Sequence, residues 1–192
     1  MTTAQTHFLL ASQSPRRQQL FADCNLDFKV VKIDADEDFS DQLQPHEVCE
    51  FLASHKSNHY QLPLQENQIL VTADTIVFIN GQILNKPANS QQAFDMLSKL
   101  SGNTHQVYTG VCMRSALTTH VFHDKTDVTF SALTPAEITH YIENYKPFDK
   151  AGSYGVQDWM GLVGVKGING CFYNVMGFPM AKFWQEWKLH FQ

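Results

Sequence analysis

The four cysteines, Cys24, Cys49, Cys112 and Cys171, form no CxxC pair and show no zinc-ligand spacing. This excludes a disulfide framework or a zinc ribbon as the organising device and reads as reduced thiols of a cytoplasmic protein. No apolar run approaches the ~18–20 residues of a membrane-spanning helix. The opening MTTAQTHFLLASQSPRR has no basic segment ahead of its short apolar piece, so no secretory signal is expected. Positive charge is in the minority, with 14 Lys+Arg against 19 Asp+Glu and a net charge of −5. That excludes the broad basic face needed to wrap a nucleic-acid polymer, though not a few cations converging on a small anion. GxxxxGK[ST], a strand-following GxGxxG and HExxH are all missing, which removes the commonest phosphate-loop, dinucleotide and zinc-protease readings.

What is present is a chain of 192 residues, 43% hydrophobic and 17% charged, enough for one generous domain or two small lobes around a cleft. FLLAS (8–12) is a short strand. Ser14 then reads as a helix N-cap, with Pro15 at the first helical position. DFKVVKI (27–33) reads as a second strand leading into the acidic DADED (34–38). PHEVCEFLASHKSNHY (45–60) places Val48, Phe51, Leu52 and His55 at helical spacing. ILV and IVFI, within 68–79, are buried-strand runs, and Asn80-Gly81 is a two-residue hairpin turn into QIL. SQQAFDMLSKLSG (90–102) is a helix with Ala93, Met96, Leu97 and Leu100 inward and Gly102 as its stop. HQVYTGVCMRSAL and HVFHDKTDVTFSAL read as a strand pair. TPAEITHYIENY (134–145) is a helix with Thr134 as N-cap and Glu137 completing a capping box. A glycine-rich stretch follows, then an amphipathic closing helix, MAKFWQEWKLHF. The alternation predicts a mixed α/β sheet rather than a purely parallel one.

Two local features point to chemistry. Arg16 and Arg17 fall in the first turn of a helix, where the macrodipole is positive and each exposed cation costs roughly 0.3–1 kcal/mol. An anion seated on that helix start would reverse the sign, and the planar guanidinium suits phosphate oxygens. Asp74 interrupts the apolar run ILVTADTIVFI. It reads either as a buried carboxylate satisfied by backbone donors at a bulge, or as a carboxylate held on a rigid strand for metal binding or proton abstraction. Asp36 and Glu37 are its natural acidic partners, because Mg²⁺ takes one or two carboxylates plus substrate phosphate oxygens. Lys56 and Lys86 are the remaining cations near these landmarks. The pairs His55/His59 and His120/His123 have no third ligand nearby in sequence and read as surface histidines.

LLASQSPRRQQLF, ADTIVFINGQILNKP, AFDMLSKLSGNTHQVYTGV, VTF followed by YIENYKPFDKAGSYGVQ, and GFPM resemble, in order, the motifs of the Maf family of nucleoside triphosphate pyrophosphatases, historically linked to septum formation. The resemblance runs from about residue 8 to about residue 180. It implies a single Maf-like domain over residues 1–192, of the inosine-triphosphate-pyrophosphatase type: a mixed central sheet flanked by helices, two lobes around a cleft with no separate linker, often as a homodimer. It implies metal-assisted attack of water on the α-phosphorus of a small nucleoside triphosphate, with Mg²⁺ or Mn²⁺ as the cofactor. By motif position Asp74 is the catalytic proton acceptor and, with Glu37, a metal ligand. Ser12, Arg16, Arg17, Lys56 and Lys86 bind phosphate, while Asp149 and Lys150 support the site. The family divides by base. Arg16, Thr75 and Gln157 resemble the branch acting on dTTP and UTP, whereas the 7-methyl-GTP branch has Trp, Gln and Glu at the corresponding places. The Gln157 amide can donate and accept together, as the O4 and N3–H edge of uracil or thymine requires. The chain departs from the family pattern at Ser57, Asn85 and Asp158. The competing reading is a non-catalytic nucleotide-binding regulator of cell division that uses the same cleft. Such a protein would have no use for a water-activating carboxylate.

Overall fold

The computed structural model describes residues 6–192, so the first five residues of the stretch read as lacking a secretory signal lie outside it. Strand β1 (His7–Leu10) leads into helix α1 (Pro15–Asp23), and β2 (Phe28–Val30) returns parallel to β1. Helix α2 (Pro45–Asn58) precedes β3 (Gln68–Ile79), which also pairs parallel with β1. The hairpin to β4 (Gln82–Leu84) turns on Asn80 and Gly81, both at positive φ (50° and 77°), as a tight two-residue turn demands. Helix α3 (Ser90–Leu100) is followed by β5 (Thr104–Arg114), β6 (Thr119–Phe130) and helix α4 (Pro135–Tyr145). Within the glycine-rich stretch lie α5 (Trp159–Val163), β7 (Val165–Asn169) and α6 (Phe172–Met176), and α7 (Met180–Phe191) closes the chain. The sheet runs β2-β1-β3-β5-β6-β7, with β4 beside β3. It is mixed: β1 joins its neighbours in parallel, whereas β4 and β7 pair antiparallel. The mixed α/β architecture expected from the alternation is therefore the one observed.

The chain forms two compact units: Met1–Asp74 with Thr109–Asp124 and Gly177–Gln192, and Thr75–Tyr108 with Lys125–Met176. In the first, an aromatic cluster of Phe8, Phe21, Phe178, Phe183 and Trp187 packs α1 and α7 on β1, with ring centroids 5.1–6.0 Å apart. Such edge-to-face pairs contribute beyond the area they bury. In the second, Val77, Leu97, Leu100, Val128, Phe130, Tyr141 and Met160 form the core.

Three local readings are refined. The two apolar runs around Asp74 are one continuous twelve-residue strand, so the carboxylate does not end it. On α2, Val48 and Leu52 are buried, but Phe51 is 43% exposed and stacks on His55 with ring centroids 5.6 Å apart. Cys49 and Ala53 take the inward positions instead. Ser14 is the N-cap residue of α1 but makes no side-chain cap bond. The capping box of Thr134 and Glu137 forms as read, with Glu137 Oε2 accepting from the Thr134 N–H at 2.7 Å. All four cysteines are free, and burial pushes the Cys49 and Cys112 thiols up, which keeps them protonated and unreactive. Among the described residues no helix is long and apolar enough to cross a membrane.

Candidate active site

In the first unit, Asp74 lies midway along β3 and is buried at 8% exposure. Its Oδ1 accepts a hydrogen bond from Lys56 Nζ, and the same ammonium donates to Glu37 Oε1 at 2.9 Å. Two carboxylates from distant stretches of chain thus converge on one cation. Asp36, the other acidic partner considered, turns to His55, whose Nε2 lies 3.0 Å from Asp36 Oδ1.

Lys56 owes its position to the way α2 is held. Thr72 Oγ1 on β3 donates to the Ala53 carbonyl at 2.6 Å. Arg114, at the end of β5, donates from Nη2 to the carbonyls of Ser57 and Tyr60, each at 2.9 Å, placing a cation on the negative end of the helix. Gly110 on β5 lets the helix come close, since a Cβ there would lie 2.2 Å from the Cys49 carbonyl oxygen. Gly110 lies within the motif AFDMLSKLSGNTHQVYTGV but has no role assigned by it, and Thr72 and Arg114 lie outside the family motifs. Their only signals are a polar residue in an apolar strand, a glycine in a strand interior and a basic residue at a strand end.

The arginine pair divides. Arg17 donates from Nε to the Gly177 carbonyl at 2.7 Å and from Nη1 to the Ala73 carbonyl at 2.8 Å. Nη1 also lies 3.5 Å from Ser12 Oγ, a distance at the limit of hydrogen bonding. Burial pushes its guanidinium down to about 10, opposed by the neighbouring Asp74 carboxylate and reinforced by Arg16. Arg17 therefore ties the β1–α1 loop to the GFPM segment and to the strand residue immediately before Asp74. Ser12, also buried, accepts the Ser14 N–H at 3.3 Å and shapes that loop. Arg16 sits half-buried in the first turn of α1, which contains no acidic residue.

The second unit holds Thr75, Lys86, Asp149, Lys150 and Gln157. Lys86 is exposed, between the buried Pro87 and Asn85, whose carbonyl accepts the Gly152 N–H at 3.3 Å. Lys150 Nζ donates to Asp149 Oδ1 at 2.8 Å and lies 3.7 Å from Asp158 Oδ2. The Tyr141 hydroxyl donates to Asp158 Oδ2 at 3.0 Å and accepts the Gly155 N–H at 3.1 Å. Burial first, and then Asp158, hold the Tyr141 phenol above its usual range. Asp158, a departure from the family pattern, is thereby one of the groups that fix the segment carrying the exposed Gln157. Tyr141 lies on the TPAEITHYIENY helix and opens the motif YIENYKPFDKAGSYGVQ, but neither gives its hydroxyl a role.

Taken alone, the first unit offers a carboxylate pair that already binds a cation and a helix start bearing arginine. That combination suits a divalent ion together with an anion. Glu37 and Asp74 fit a hard divalent cation in kind and number, because Mg²⁺ takes one or two carboxylates and fills its remaining positions with water or phosphate.

The class that the fold defines is a mixed α/β protein, a central sheet flanked by helices. More particularly, the model of the Maf-like protein family matches residues 7–189, and the chain belongs to that family. Relatives named dTTP/UTP pyrophosphatase include one from Flavobacterium johnsoniae, 46% identical over 92% of this chain and 91% of its own. Others are from Bacteroides fragilis, 45% identical over 94% of each chain, and Parabacteroides distasonis, 44% identical over 95% of each. Among solved structures, the Ham1 protein of Staphylococcus aureus aligns over 65% of this chain and 72% of its own, at a TM-score of 0.45 and 16% identity.

Proposed function

We propose that this chain is a nucleoside triphosphate pyrophosphatase acting on dTTP and UTP, releasing pyrophosphate and the nucleoside monophosphate in the cytoplasm. The observation that carries this reading is Asp74, a buried carboxylate fixed in mid-strand and bonded to Lys56, whose ammonium also bonds Glu37. Relatives that share 44–46% identity and bear the dTTP/UTP pyrophosphatase name support the choice of substrate. So do Arg16, Thr75 and Gln157.

Glu37 and Asp74 would hold the divalent cation, Mg²⁺ or Mn²⁺. When bound, it lowers the pKa of a coordinated water and withdraws charge from the phosphate being attacked. The residues supply the rest. Asp74 takes the proton of the attacking water, and its rigid strand keeps that oxygen in place. Lys56, tied to both carboxylates, turns an N–H donor toward the phosphate oxygens as the triphosphate binds. Arg16 and the α1 N-terminus hold the phosphate chain, while Arg17 fixes the loop from behind. Lys86 adds charge to the departing pyrophosphate, with Asp149 and Lys150 in support. Gln157 reads the pyrimidine edge. A homodimer is the assembly this reading adopts.

The deciding experiment measures pyrophosphate release across a panel of UTP, dTTP, CTP, ATP, GTP and 7-methyl-GTP, for the wild type and Asp74→Asn. UTP and dTTP should lead in kcat/KM. Asp74→Asn should lose roughly 10²–10⁴-fold in kcat, the usual contribution of a positioned base. Near-normal turnover by a folded Asp74→Asn, or a preference for a purine, would overturn the proposal.

A further inference from the structure

Among the described residues, one place gathers three metal-ligating side chains: His120, Glu186 and His190. The sequence reading set His120 beside His123 and found no third ligand. The structure separates that pair. His123 Nδ1 lies 2.7 Å from Glu50 Oε1, whereas His120, the second residue of β6, faces α7. On that helix Glu186 and His190 are one turn apart (i, i+4) and so share a face. His120 Nε2 is 2.8 Å from Glu186 Oε2, and His190 Nε2 is 3.4 Å from the same oxygen. The three ligand atoms all lie within 4.8 Å of one another.

We propose that these three side chains form a zinc-class metal site that joins α7 to β6, built from residues the catalytic reading does not use. Three observations converge. First, tetrahedral zinc with ligands at about 2.0–2.2 Å sets its donor atoms roughly 3.3 Å apart, and the two nitrogen–oxygen separations here, 2.8 and 3.4 Å, bracket that spacing. Second, two imidazoles with one carboxylate suit zinc and its neighbours, not Mg²⁺, and leave a fourth position for water. Third, the site is partly shielded yet open to solvent, with side-chain exposures of 22%, 22% and 35% for His120, Glu186 and His190.

The ring of His120 packs against two others. It stacks on Phe122, with centroids 5.9 Å apart, and on His190 at 3.7 Å. Lys182 Nζ lies 5.8 Å over the Phe122 ring and donates to the His123 carbonyl at 2.6 Å, fixing the outer wall. The two imidazoles, inclined by 25°, must splay for both nitrogens to aim at one ion. His190, the more exposed, can make that turn, because the outer torsion of histidine is soft. The ion would then link residues 66 positions apart in the chain.

The test uses the full chain stripped with a chelator. Zinc chloride is titrated calorimetrically in excess Mg²⁺, and Co²⁺ is added in parallel for its visible absorption. We expect one tight zinc site that Mg²⁺ does not displace and a tetrahedral Co²⁺ spectrum. With free zinc at a hundred times Kd, the melting temperature should rise by roughly 5–10 °C. His120→Asn and His190→Asn should each weaken zinc binding by more than about tenfold, since even outer-shell partners of a metal contribute 10–100-fold. His123→Asn and Asp74→Asn should bind zinc as the wild type does. His190 lies on the surface, so its variant keeps the experiment decisive should His120→Asn fold poorly. No zinc uptake by the wild type, or uptake undiminished in both His120→Asn and His190→Asn, overturns the proposal.

Discussion

Replacing Arg16 and Arg17 one at a time should separate two functions that the sequence places side by side. Arg17 makes two short charge-assisted bonds, to the carbonyls of Gly177 and Ala73. Bonds of this class are worth about 1.5–3 kcal/mol each. Some of that is offset because removing the side chain also removes a guanidinium that burial holds down at about 10. The net loss on Arg17→Met should be about 2–4 kcal/mol, a drop of roughly 5–15 °C in melting temperature for a chain of this size. Arg17→Lys should recover little, because one ammonium lacks the fork that reaches two carbonyls lying in different directions. Arg16→Ala removes a cation from the positive end of α1, so it should change stability by less than about 1 kcal/mol, toward greater stability. It should nevertheless lower kcat/KM by roughly 10–100-fold, the worth of one charge-assisted phosphate contact. Thermal unfolding without nucleotide, alongside pyrophosphate release, reads both effects. Equal destabilisation by Arg16→Ala and Arg17→Met would refute the division of roles.

His105 is buried and donates to or accepts from the Tyr154 hydroxyl at 2.7 Å, and burial lowers its pKa to about 4. The unfolded chain therefore binds more protons between about pH 4 and 6.5, so stability falls with pH across that window, by about 2 kcal/mol from pH 7 to 5. Chemical denaturation of His105→Gln should show that slope removed. Glu137, whose capping-box bonds to Thr134 hold its carboxyl below the usual range, contributes stability that is complete above pH 4.5 and lost as pH falls through the lowered value. Glu137→Gln should flatten the unfolding profile in that acid region alone. Gln157→Glu should cut kcat/KM for UTP by roughly 10²-fold or more, because an ionised carboxylate cannot donate to the base. Its melting temperature should stay unchanged at this exposed position.

Elements with strong local signals were legible in the sequence. Pro15, Pro45 and Pro135 each begin a helix, Asn80-Gly81 makes its hairpin, and the Thr134–Glu137 box closes as read. Asp74 was legible too, because a carboxylate inside ILVTADTIVFI contradicts its neighbours. What stayed hidden depends on chain segments meeting from afar. Strand β7 has no clear signal within the glycine-rich stretch, whose glycines suit turns or close backbone approaches, yet Gly167 pairs with Thr129 of β6, where tertiary pairing overrides propensity. Phe51 sits on α2 at the helical spacing expected but outside the buried stripe, because helical period alone does not say where that stripe is centred. Val48, Cys49, Leu52 and Ala53 form a stripe that leaves Phe51 outside.

Lys56 and Asp74 show the same limit within one site. Asp74 betrays itself locally, whereas Lys56 is an unremarkable lysine on a helix whose placement is decided elsewhere. Arg114 holds the end of that helix from 57 and 54 residues away, at Ser57 and Tyr60, and Thr72 holds its middle from 19. Gly110 completes the arrangement by what it lacks. A Cβ 2.2 Å from the Cys49 carbonyl would meet backbone that cannot yield, so α2 would have to lift from β5. Lifting α2 moves Lys56, and with it the ammonium on which Asp74 and Glu37 converge. The precision of the carboxylate pair thus rests on a glycine in the interior of a strand, a position where glycine by itself only weakens the sheet.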